Sequence, residues 1–122
     1  PDKQKSESLI NMAKITLERL QSTDIQKYPS NTLKDYYDII HEIMESLTLK
    51  KGIKIKGEGA HQELIDYISK QYKFTEQERI FLQQIRDYRN RISYEGFMIN
   101  INFISNNENK IKTIIEKLLK EI

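Results

Sequence analysis

Residues 75–94, TEQERIFLQQIRDYRNRISY, decide how the chain folds. Thr75 and Glu78 form the pattern of a capping box, in which the Thr hydroxyl and the Glu carboxylate satisfy amides left unpaired at a helix start. Behind them Phe81, Ile85, Tyr88 and Ile92 recur at steps of four, three and four, the spacing that keeps side chains on one face of an α-helix. A helix is therefore expected from Thr75 to about Tyr94, interrupted by Gly96, with this seam turned inward.

The same period runs through most of the chain. Leu9, Met12, Ala13, Thr16, Leu17 and Leu20 predict a first helix over Ser8 to Gln21, preceded by a polar tail at residues 1–7. Ser22 to Asn31 reads as a loop because Pro29 pushes the residue before it out of helical geometry. A second helix is expected from Thr32 to about Leu49, its stripe Leu33, Tyr36, Tyr37, Ile40, Ile43, Met44 and Leu47, with Asp35 in the first turn where the helix dipole favours an acid. Lys50 to Gly59 packs four lysines and three glycines into a basic loop, with a short strand at Ile53 to Lys56 compatible with the pattern. A short third helix follows from Ala60 to Gln71, with Leu64, Ile65, Ile68 and Tyr72 inward. Phe97 to Ile104 fits either a strand or a helix, and helix or irregular chain is preferred because no second strand is evident. Ser105 to Glu108 resembles another capping box, opening a last helix with the stripe Ile111, Ile114, Ile115, Leu118, Leu119 and Ile122. The expected fold is all-α: one domain over residues 8–122, an antiparallel up-and-down four-helix bundle with an additional short helix between helices two and four.

Composition narrows the chemistry. The 122 residues carry a net charge of only +2, which argues against coating nucleic acid by bulk charge, so any nucleic-acid site must be local. The absence of Cys removes disulfides, thiolate metal sites and cysteine nucleophiles. The two histidines, His41 and His61, match no metal spacing, so neither a metal nor another cofactor is expected. The apolar runs are too short for a membrane span and residues 1–8 are polar, so a cytoplasmic protein without membrane contact is expected.

Arginine is distributed unevenly. Four of the five, Arg79, Arg86, Arg89 and Arg91, fall within the fourth helix, while elsewhere the basic residue is almost always Lys. Arg presents a planar fork of donors suited to phosphate or carboxylate and stays charged in any environment. Arg86, Arg89, Asn90 and Ser93 share one side of that helix, with Arg91 next to them. Acids of helix two, Asp38, Glu42 and Glu45, offer these arginines a purely structural role as ion pairs; phosphate binding is the alternative. Lys50, Lys51, Lys54 and Lys56 form a secondary basic loop able to position phosphates without reading sequence. His61 reads as a capping or surface residue, Tyr36 and Tyr37 as packing.

RDYRNRISYEG, residues 86–96, resembles the fourth-helix signature of the HEPN superfamily, in which Arg and a polar residue are followed after a short gap by His. YYDIIHEI at 36–43 is similar to the aromatic and acidic second helix of prokaryotic HEPN proteins, and GAHQELI at 59–65 to the loop and short helix after it. The resemblance implies a helical homodimer with two copies of the motif facing each other, RNA or a nucleotide as ligand, and, where the family is active, cleavage of RNA without a metal. It also implies a partner protein of the nucleotidyltransferase type, if the chain is the toxin of a toxin–antitoxin pair. Arg89 and Asn90 match the Arg and polar positions; the His position holds Tyr94. A phenol of pKa near 10 is a poor general base at neutral pH. The expectation is thus a dimeric domain that binds RNA, a nucleotide or a partner protein without efficient catalysis. The alternatives are a metal-independent endoribonuclease in which Tyr94 or His41 serves beside Arg89, and a structural interaction module.

Overall fold

The computed structural model describes residues 2–55 and 59–122. Five helices make up the bundle: α1 (Lys3–Gln21), α2 (Pro29–Lys50), α3 (Ala60–Gln71), α4 (Glu76–Glu95) and α5 (Ile101–Leu119). Among the described residues there is no strand; Ile53 to Ile55 is irregular, and Lys56 lies outside the described residues.

Cross-helix bonds set the directions. Ser6 and Ser46 exchange bonds between α1 and α2, each hydroxyl donating to the other residue's backbone carbonyl, while Arg19 donates to Asp35 at 2.9 Å near the other end, so this pair is antiparallel. Arg89 reaches Asp38 from α4 to α2, and Lys117 of α5 reaches Glu78 of α4. Tyr36 donates to Glu108 of α5 at 2.9 Å, in a pair of helices that run parallel. Helices α1, α2, α4 and α5 alternate up and down, with α3 antiparallel to α4 through Arg79 and Asp66.

Helix α2 occupies the middle and packs on all four others. Its expected stripe is buried throughout, and so are Ile39, Leu49, Thr32, Ser46 and Thr48 on its other sides. Burying each large apolar side chain contributes about 1.5–3 kcal/mol, which explains why the longest apolar helix became the axis. Small residues at the α1 contact, Ser6, Ala13 and Ser46, allow the two backbones to approach closely.

Several boundaries differ from the sequence expectation. Residues 3–7 are helix instead of tail, because Asp2 accepts from the Lys5 amide and starts α1 five residues earlier than Ser8. The buried face of α1 is consequently Ser6, Ile10, Ala13 and Leu20, and Met12 is exposed. Helix α2 starts at Pro29, whose fixed φ and missing N–H suit a first turn; Asp35 then falls outside that turn and pairs with Arg19. The capping box at Thr75 is present as expected. The one at Ser105 is not: Asn100 caps α5 by accepting from the Asn102 amide, and Ser105 to Glu108 lies within the helix. Phe97 to Asn100 is irregular, with buried Ile99 donating its amide to Ser30 Oγ at 2.8 Å. Tyr88 and Ile92 are only partly buried, leaving Phe81, Leu82 and Ile85 as the buried seam of α4.

Candidate phosphate-binding site

The arginines of α4 serve different ends. Arg79 is held by Glu76 on its own helix and Asp66 on α3, an ion-pair cluster that ties α3 to α4. Arg91 lies over the Phe97 ring, 4.1 Å from its centroid. Arg86 bonds through Nε to Gln83 at 3.0 Å, and Arg89 through Nε to Asp38 at 3.2 Å. Among the described residues, the terminal nitrogens of Arg86 and Arg89 bond to no other group. These two keep both terminal nitrogens for an incoming anion, whereas both terminal nitrogens of Arg79 are engaged by carboxylates.

What the sequence reading missed lies opposite them. The first turn of α3 carries His61 onto α2, where it stacks on His41 with ring centroids 4.1 Å apart and planes 16° apart. Tyr37 Oη is 3.3 Å from His61 Nδ1. Gly59 turns the chain into α3 at φ +76°, a conformation that favours glycine. The GAHQELI stretch is therefore not merely a connection, since it delivers the second imidazole. His61 read as a cap or surface residue because its partner lies twenty positions upstream, on a helix whose orientation only the tertiary packing sets.

Electrostatics keep both imidazoles neutral at pH 7. Burial, the neighbouring His61 and Arg89 bring the His41 pKa down to about 4. His61 is lowered by burial, then by Arg89 and Arg86. The positive end of α3 acts in the same direction. Burial raises the Tyr37 phenol despite the opposing charges of Arg86 and Arg89, so it holds its proton at pH 7 and shares a hydrogen bond with His61 Nδ1. His41 Nδ1 stands 3.9 Å from a Glu45 carboxylate oxygen, which is not an ion pair while the ring is neutral. On the same helix Glu42 is pushed up to about 7 by burial and by its neighbours Asp38 and Glu45.

The other expected residues divide. Asn90 is half-buried beside Arg89, and the Ser93 hydroxyl is buried without a partner among the described residues. Tyr94 is 78% exposed in the last turn of α4 and stands out in solvent. Lys51 covers the Tyr72 ring, Lys50 is exposed, Lys54 lines a cavity beside the imidazole pair, and Lys56 lies outside the described residues. No cluster of His and acidic residues suited to a metal is found among the described residues. None of the described helices is long and apolar enough to cross a membrane. Compared with protein-family models, curated proteins and solved structures, the chain matches none.

Proposed function

We propose that the chain is a HEPN-like domain that binds RNA through a phosphate held by Arg86 and Arg89. The observation that carries this reading is the arrangement around the phosphate position: two guanidiniums with donors to spare stand beside two stacked neutral imidazoles and a protonated phenol. An anion meets charged donors there, and the histidines contribute N–H groups without adding charge repulsion. Phosphate contacts of this kind position a strand without reading its sequence. The homodimer and the nucleotidyltransferase-type partner implied by the resemblance belong to the same proposal, and sedimentation of the purified chain reads the first of them.

Replacing Arg86 and Arg89 by Ala tests it. Binding of a labelled single-stranded RNA, followed by fluorescence anisotropy, is expected to weaken at least tenfold, because each charge-assisted bond is worth about 1.5–3 kcal/mol. The loss of stability should stay near about 1–2 kcal/mol, since Arg86 and Arg89 are only partly buried and the Asp38 left behind by Arg89 keeps access to water. A large loss of stability with unchanged binding would assign these arginines to structure.

The imidazole pair favours a second reading, metal-independent RNA cleavage. A neutral His41 or His61 is available as general base beside Arg89, whose charge suits a developing phosphorane. Incubation with RNA in EDTA decides between the two: products that disappear in Arg89→Ala establish cleavage, and intact RNA leaves binding alone.

A further inference from the structure

Next to the imidazole pair lies a cavity of about 410 Å³, within the range of roughly 300–1,000 Å³ that small-molecule sites occupy. His41 and His61 form part of its lining. Leu64 and Ala60 of α3 and Ile53 of the preceding loop supply apolar walls, with the Glu45 carboxylate and the Thr48 hydroxyl as acceptors and Lys54 as a donor at the lining. Lys5 of α1 stands 3.6 Å from Glu45 and offsets its charge.

Asp38, which holds Arg89, lies one helical turn before His41 on the same side of α2, so the ring pair that lines the cavity stands one turn from the arginine cluster. A ligand with its anionic group on Arg86 and Arg89 passes its body across the imidazoles into a space with apolar walls and a hydrogen-bond acceptor. Such a ligand has an anionic end and a flat, uncharged body carrying N–H donors. We propose that the cavity takes one unpaired nucleobase of the nucleotide whose phosphate sits on Arg86 and Arg89. This rests on the phosphate reading of the arginine cluster and adds the part of the ligand beyond the phosphate. A base buried this way must be free of a duplex, so the ligand is a free nucleotide or single-stranded RNA.

Calorimetric titration with the four nucleoside 5′-monophosphates, ribose 5-phosphate and octyl phosphate tests the proposal. At least one nucleotide is expected to bind roughly tenfold or more tightly than either base-free compound, as burial and stacking of a base imply. Ala60→Phe and, separately, Ile53→Trp fill the cavity without touching the arginines. Each should reduce the nucleotide to the level of ribose 5-phosphate and leave ribose 5-phosphate unchanged, with helical content checked by circular dichroism. Two independent variants keep the test decisive if one fails to fold. Equal binding of ribose 5-phosphate, equal or tighter binding of octyl phosphate, or a nucleotide preference that survives both fillings overturns the base cavity alone. Failure of every phosphate compound to bind overturns the arginine reading with it. A single-stranded RNA hexamer that displaces the best nucleotide at lower concentration assigns the base to RNA; the reverse assigns it to a free nucleotide.

Discussion

Removing one imidazole should change how stability responds to acid. His41 is 23% exposed in its side chain, and its pKa falls from 6.5 to about 4 in the folded chain because burial, His61 and Arg89 all oppose its charge. Above pH 6.5 the ring is neutral whether the chain is folded or not, and folding is indifferent to it. Between pH 6.5 and 4 the unfolded chain binds a proton that the folded chain refuses, so stability falls as pH falls. At 1.36 kcal/mol for each pH unit of that window, the loss is about 3 kcal/mol by pH 4. Glu42 works the other way: raised from 4.5 to about 7, it takes up its proton first in the folded chain and adds stability as pH drops through that interval. Its share is smaller because solvent reaches the carboxyl, but it flattens the wild-type curve. The measurement is therefore a difference. Urea unfolding of wild type and His41→Leu, from above pH 7 down to pH 4, should show the variant gaining about 3 kcal/mol on the wild type across the window. Parallel curves for the two proteins would refute a buried neutral His41.

Further outcomes follow from the same geometry. Tyr94→Ala should leave RNA binding, any cleavage and the melting temperature unchanged, given the exposure of that ring; a tenfold loss in RNA assays would give Tyr94 the role of the missing His. Ile40→Ala and Ile85→Ala, both at positions with no exposed surface, should each cost about 2–5 kcal/mol in urea unfolding. Gly96→Ala should cost about 1 kcal/mol by the same assay, since Gly96 sits at φ +67° with open space where a Cβ would go, leaving backbone strain as the sole penalty.

The periodic parts of the chain were legible because burial follows local spacing. Every apolar position expected on α2 is buried, and the Thr75 box starts α4 as its residues dictate. Errors gathered where a start depends on one capping side chain. Asp2 and Asn100 each outcompeted a later candidate, and a Pro that read as a loop marker instead opened α2. At the candidate site, Arg86 and Arg89 stood out by residue type against a lysine background. The division of labour between them and Arg79 did not, because it depends on Asp66 lying opposite one and Asp38 opposite another. The His41–His61 stack was beyond reach for a similar reason: neither ring has a local motif, and only the crossing of α3 over α2 joins them.

Helix α1 makes its main packing contact with α2, and a groove of about 480 Å³ separates its last turns from α5. The remaining helices are tied to one another by Tyr36–Glu108, Arg89–Asp38, Lys117–Glu78 and Arg79–Asp66. A helix attached along a single side can swing away as a unit at less free energy than global unfolding requires, and its amides then exchange with solvent ahead of those of α2. The hydroxyls of Ser6 and Ser46 are the latch on that motion. Because Lys5 sits one residue from the latch and lines the cavity beside the imidazoles, any opening of α1 would widen that cavity from the α1 side, so exchange of the α1 amides reports on the wall of the cavity as well as on the helix.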